Sequence, residues 1–418
     1  MAGSKYVDTF DKLVEAFATV TNNGTIQLTG DVTCSGQIEV MRTCVVEMND
    51  HTLTLDVDDA LTFKSKAKVT FRDGIIHCPV NSGMVVTGQD SVVTFGDNLK
   101  FNCCSTAITA QNKGRIIVNE CAKISSSGNG PAVVVKHKGS GCEVGGKGII
   151  KSDSNIAVLV ENGGTLLVHQ RGLVKTNSDE NDTPNIYAAV YATGKATDGT
   201  PSVVIVTGHG RIEGSYTTAL HLIHGAQATL EAGVIYSGST RHPAVVVDDE
   251  NTVFRMVGGK IESEFQDAIL VYQFNNDNIN KVDVVGGEIF ARQGNIVRVL
   301  GDGTPDIAIS GITFLGELDP KYVAEGFEIV DNKIVPKGSV PPKPDPPEPP
   351  KPEIKSYKKG INIYIGPSTS TRSNKYIGSL LVTDMKYVDG NGKTLVRVYY
   401  KLPGSGKQVT GFVLEAQL

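Results

Sequence analysis

The sequence predicts an all-β protein: a right-handed parallel β-helix with an N-terminal capping helix, followed by a small separate barrel. Three observations carry this expectation. A corner glycine followed by an apolar pair recurs at about two dozen residues. Short alternating strands sit at fixed places within each repeat. A proline-rich segment then separates a last stretch of strand pattern from the rest.

The repeat is read at Asp73-Gly74-Ile75-Ile76, Ala122-Lys123-Ile124-Ser125, Lys147-Gly148-Ile149-Ile150, Gly172-Leu173-Val174, Gly210-Arg211-Ile212, Gly233-Val234-Ile235, Gly259-Lys260-Ile261, Gly287-Glu288-Ile289 and Gly311-Ile312. Repeats of this length mark solenoids, in which each unit buries its apolar face only against its neighbours. Units open with strands such as Met84-Val85-Val86, Ala132-Val133-Val134-Val135, Ala219-Leu220-His221-Leu222 and Ala268-Ile269-Leu270-Val271. A second strand follows, as in Thr165-Leu166-Leu167-Val168. Three short strands per coil result, with alternate side chains pointing inward to form ladders. Glycine at the corner is expected to supply a positive φ. Helical patterns of ten to fifteen residues, needed by a doubly wound αβ fold, are missing. The longer period and aromatic signature of a propeller are missing too.

A solenoid has to cover its ends. Phe10, Leu13, Val14 and Phe17 fall at i, i+3, i+4 and i+7, with Thr9 placed as N-cap, which predicts an amphipathic capping helix within residues 1–22. The β-helix is expected over 23–335. Its opening, Gly24 to Val32 and then Val45 to Leu55, reads GTIQLTGDV and VVEMNDHTLTL. Together with the preceding helix it resembles the start of pectate-lyase-like β-helices in bacteriophage and bacterial surface proteins. The resemblance spans about residues 9–320 and is architectural, because these residues specify a fold and no catalytic group.

Between Pro336 and Pro352 the chain holds nine prolines in seventeen residues. Such a segment favours polyproline II and acts as a semi-rigid spacer, so a linker is expected at 336–355, of which the twelve residues from Pro341 extend on the order of 35 Å. Residues 356–418 return to strand pattern with turn punctuation, as for a small five- or six-stranded barrel. Asn362, Gly366, Pro367, Ser368, Gly378, Val398, Tyr399, Thr410, Gly411 and Val413 are similar to the pattern of the bacterial SH3-like domain. That resemblance implies a surface around Tyr364, Tyr399 and Phe412 for peptidoglycan peptides or a protein. Phe412 stands where the family usually has Trp, and Ile363-Tyr364-Ile365 replaces a segment that usually contains Arg, which weighs against wall binding.

Composition bounds the chemistry. Lys+Arg 40 against Asp+Glu 45 gives a net charge of −5, with no basic block to follow a phosphate backbone, so no nucleic-acid partner is expected. No run reaches the ~18 to 20 apolar residues of a membrane span, so no membrane partner is expected. The first twenty residues lack signal-peptide features, which implies synthesis in a host cytoplasm. The seven cysteines are odd in number and contain no CxxC pair, which argues against a metal site and a disulfide framework. Small buried thiols are expected instead.

A glycosidase needs two carboxylates across one cleft. Asp248, Asp249 and Glu250 follow an inward strand at a corner, and Glu262 or Glu264 could share their face. The acidic runs Asp56 to Asp59 and Asp179 to Asp182 read as loops. No coil offers the basic group and calcium-binding acids of a lyase. His221 and His224 alternate onto opposite faces, which excludes joint metal binding. The chain has no Trp, and Tyr187, Tyr191 and Tyr216 around an insertion at 178–200 are the candidate contacts for a sugar or a partner. No catalytic residue, metal or cofactor is assigned.

The expectation is therefore a non-enzymatic bacteriophage virion protein, a head fibre or decoration protein that works as a homotrimer. Other virion proteins are its expected partners, with a host-surface glycan or peptidoglycan as a further ligand. A tailspike-like polysaccharide depolymerase is the alternative, and a bacterial surface adhesin the third reading.

Overall fold

The computed structural model describes residues 3–178, 188–339, 354–364, 373–388, 391–401 and 408–417. The chain divides into two compact units, Met1–Lys337 and Gly338–Leu418.

The first unit is a parallel β-helix. Its strands fall into sheets A, B and C of 13, 14 and 11 strands, and each coil visits them in that order. One coil runs through Arg115–Val118, Lys123–Ser126 and Val133–Lys136, and the next through Gly141–Val144, Ile149–Ser152 and Val158–Glu161. Equivalent strands pair in parallel, as in Ile116↔Cys142 and Ile124↔Ile150, and a register shift enters only in the last coil, between Phe290 and Asn295. The expected ladder is plain on sheet B, where Ile76, Phe101, Ile124, Ile150, Val174, Ile212, Ile235, Ile261 and Ile289 stack in register and are fully buried. Each such side chain contributes roughly 1.5 to 3 kcal/mol of burial. Near the N-terminal end, Phe63, Phe71, Phe95 and Phe101 fill the interior with successive ring separations of 6.0, 6.0 and 5.8 Å.

The corner glycines have two different causes. Gly259 and Gly287 hold φ of 80° and 107°, as expected. At Gly148 and Gly172 the reason is space, since an added Cβ would lie 2.2 Å from the Val118 carbonyl oxygen and 2.1 Å from that of Val144. At such corners the left-handed residues are instead the pair just before: Glu120-Cys121 before Ala122, Gly146-Lys147 before Gly148 and Gln170-Arg171 before Gly172. They form the centre of tight turns in which the N–H of Ala122 donates to the Asn119 carbonyl at 2.9 Å and that of Gly172 to His169 at 2.7 Å.

Hydroxyls close another corner. Just before sheet A strands, small residues alternate with buried hydroxyl residues: Ala67 and Ser91, Gly114 and Ser140, Gly164 and Ser202, Ala226 and Thr252. Each hydroxyl accepts the backbone N–H of the coil before it: Lys66 at 3.2 Å, Lys113 at 2.9 Å, Gly163 at 3.1 Å and Gly225 at 3.0 Å. Buried N–H groups need such partners.

Several expectations at the ends are corrected. A strand, Ser4–Val7, precedes the helix and pairs in parallel with Gly24–Leu28. The helix spans Phe10–Thr19, with the Thr9 hydroxyl accepting from the Lys12 N–H at 3.4 Å. Its buried face is Leu13, Ala16 and Phe17, while Val14 is 39% exposed. At the other end Ile312–Glu317 meets the antiparallel hairpin Phe327–Val330 and Lys333–Pro336. The single insertion expected at 178–200 is interrupted by a regular sheet C strand, Ala188–Thr193, which pairs with Val158–Glu161 and Thr218–Ile223.

The second unit is a closed antiparallel barrel of Ile354–Tyr364, Ser373–Val388, Thr394–Lys401 and Gln408–Leu414. Leu395, Val396, Val398 and Val413 are buried in it. Among the described residues it has four strands where the pattern predicted five or six, because Tyr376 to Leu380 belongs to one long strand with a register shift further along it.

Candidate functional site

Sheet C presents an unusual outer face. Along its outward column Leu159, Tyr191, His221, Val246, Leu270 and Arg298 are direct register neighbours. Alternation sends Leu220 and Leu222 into the core and His221 outward, yet His221 is only 7% exposed. The Tyr191 ring meets it edge-on at 5.0 Å. Its Nε2 is buried without a hydrogen-bond partner among the described residues, and the nearest carboxylate oxygen, Oδ2 of Asp248, is 3.7 Å away.

Asp248 and Asp249 continue the strand Val245–Val247 into the corner between sheets C and A. Asp249 is left-handed, and its carboxylate contacts Nδ1 of His224. Here the expected separation of the two histidines fails. The strand Thr218–Ile223 ends before His224, whose φ of 55° breaks the alternation, and both imidazoles meet the same acidic dipeptide. Among the described residues no group of three or more His, Cys, Asp or Glu could hold a metal ion.

Burial raises the pKa of the Tyr191 phenol, and the charges of Asp248 and Asp249 add to the shift. Tyr272 is raised in the same way, first by burial and then by Asp248, with Arg298 opposing. Both phenols therefore stay neutral hydrogen-bond donors well into alkaline solution. Tyr272 stacks on Phe274 at 6.0 Å, and Phe274 is 70% exposed. Neutral phenols, an exposed aromatic face and carboxylates are groups that can contact hydroxyl-rich or apolar ligands.

The sequence candidates divide accordingly. Tyr191, Asp248 and Asp249 come together, while Glu250 is an exposed turn residue beyond them. Tyr216 is exposed at the opposite edge of the sheet, between Arg211–Gly214 and Thr218–Ile223. Tyr187 lies outside the described residues. Glu262 and Glu264 do not share the face of Asp248: Glu262 is on sheet B, paired with Lys260 at 3.0 Å and Arg292 at 2.9 Å, and Glu264 pairs with Arg292 at 3.0 Å. Burial opposes ionisation of Glu262, but those two cations outweigh it and hold its carboxyl below the ordinary range. In the barrel, Tyr364 and Arg397 are register partners of Phe412, and the Phe412 side chain is half-buried. The side chains of Tyr364 and Tyr399 lie outside the described residues.

The sequence reading missed the role of His221. Its flanking leucines signal a strand, but an outward imidazole covered by a tyrosine from the coil before it depends on register. Comparison with protein-family models, with curated proteins and with solved structures gives no match.

Proposed function

We propose that this chain is a non-enzymatic structural protein of a bacteriophage particle, a head fibre or decoration protein that displays a β-helix rod to a host-surface glycan or peptidoglycan. The observation that carries the reading is the long ladder of fully buried side chains, combined with the ion pairing of the acid candidates Glu262 and Glu264 to Arg292. A rod of stacked coils resists local unfolding because each coil is held on two sides. Glu262 and Glu264 are neutralised by Lys260 and Arg292, which takes these two candidates out of the pair of free acids that glycoside hydrolysis needs.

Within this proposal the coils wind right-handedly and the helix Phe10–Thr19 caps the open core. The barrel is an SH3-like docking module on its proline-rich tether, and three copies associate to raise avidity. The test is to incubate the purified protein with capsular and wall polysaccharides and with whole host cells. Adhesion to cells without new reducing ends or unsaturated products is expected. Release of either product would overturn the non-enzymatic reading.

One observation favours a tailspike-like depolymerase as the second reading: the buried, unpartnered Nε2 of His221 beside Asp248. That reading requires product release that His221→Ala abolishes while adhesion persists.

A further inference from the structure

The corner from sheet C to sheet A is short in most coils, as between Val133–Lys136 and Gly141–Val144. Between Ala188–Thr193 and Val203–Val206 it expands into a loop. The loop is closed by its own backbone: Ala196 donates to Thr200 at 2.8 Å, Gly199 to Ala196 at 2.8 Å and Ser202 to Gly194 at 3.0 Å. Asp198 accepts from the Lys138 ammonium at 2.7 Å and from the Thr200 N–H at 3.1 Å, which pins the loop over earlier coils.

Beneath this loop is a cavity of about 640 Å³ lined chiefly by Asn112, Lys113, His137, Lys138, Asn162 and Lys195. A second hollow of about 350 Å³ shares Lys113 and adds Lys68, Gln89 and Arg115. The two linings together hold five lysine or arginine cations against two carboxylates, Asp90 and Asp198. That excess is positive on a chain whose net charge is −5. Asp198 is already engaged by Lys138, and Arg115 has Glu143 at 3.5 Å. Lys68, Lys113 and Lys195 pair with no carboxylate among the described residues. The Lys113 backbone is fixed by the buried Ser140 hydroxyl, so the site is built by the coil and roofed by the loop.

We propose that this corner binds an acidic polysaccharide, the lysines taking its carboxylate or phosphate groups and Gln89, Asn112, His137 and Asn162 its hydroxyls. The cations are spread along this edge at intervals of one or two rungs of about 4.8 Å: Lys68 stands two rungs from Arg115 with Val92 between them, Lys138 lies in the next turn after Lys113, and Lys195 two turns further on, a spacing suited to a polymer whose charges are separated by neutral hydroxyl-bearing stretches. Single-stranded nucleic acid would call for aromatic platforms, and the lining has none. A duplex would call for a denser phosphate-tracking surface. The site is read from this corner alone and holds whether or not the chain is carried on a particle.

The test measures binding of the full chain to polygalacturonate oligomers, polyglycerol phosphate, neutral dextran and a DNA duplex at low and moderate salt. Binding to an acidic polymer that weakens with salt is expected, and the tighter of the two identifies the anionic group. Lys113→Ala with Lys195→Ala should weaken it at least tenfold, and the exposed sheet B variant Lys123→Ala should not. Asp198→Asn, which frees Lys138 and keeps one oxygen for Thr200, should tighten it. Thermal melting of each variant checks that it is folded. Equal binding of dextran, preference for the duplex, no binding to either acidic polymer, or indifference to the double substitution would each overturn the proposal.

Discussion

Phe95 shows how much one interior side chain does. It is fully buried and touches the rings of Phe71 and Phe101, which belong to different sheets. Phe95→Ala should cost about 3 to 5 kcal/mol because a rigid coil cannot collapse into the void, measurable by denaturant unfolding. The cysteines give a sharper test. Cys34, Cys44, Cys78, Cys103 and Cys142 are buried, and Cys104 and Cys121 are exposed. Burial pushes the thiols of Cys34 and Cys78 up to about 11 and those of Cys44 and Cys103 up to about 12. A thiol reagent near neutral pH should therefore modify two sites in the folded chain and seven in denaturant, counted by mass. The sign for stability follows from linkage. In the unfolded chain these thiols ionise near 9.0 while the folded ones stay protonated, so their stabilisation is whole below pH 9 and declines as pH rises toward 11 to 12. Alkaline titration of the melting temperature would detect it.

At the level of elements, the inward positions were legible in the sequence because strand alternation and the repeat period both point to them. Ile124, Ile150 and Ile261 are where the pattern put them. The coil Lys100–Cys103 escaped because Leu99 stands at its corner in place of glycine. Turns built on Glu120-Cys121 or Gln170-Arg171 escaped because none of these residues favours a left-handed backbone, and the stacked coils impose it. The candidate site was legible only in part. Tyr191 and Asp248 could be named, but the partnership with His221 follows from register between strands thirty residues apart. Two substitutions test the corner devices. Ser140→Ala removes the acceptor of the part-buried Lys113 N–H and should cost about 0.5 to 1.5 kcal/mol. Gly172→Ala places a methyl against the Val144 carbonyl and should destabilise by more than the change in backbone entropy alone would offset. Chemical denaturation of each against the parent measures both.

For the whole molecule, the central claim is that segments far apart in sequence occupy equivalent places on successive turns. The division at Lys337 implies that a chain ending there keeps the unfolding transition of the β-helix, which differential scanning calorimetry can verify. The most direct measurement is a distance along the axis. Lys68 and Gln227 are exposed on sheet A and linked by register through Val92, Arg115, Gly141, Thr165 and Val203. Six rungs of ~4.8 Å separate them, on the order of 29 Å. Spin labels at these two positions, with Cys104 and Cys121 replaced by Ser, should give one narrow distance near that value by pulsed electron resonance. A broad distribution, or a separation twice as large, would contradict the stacked-coil account.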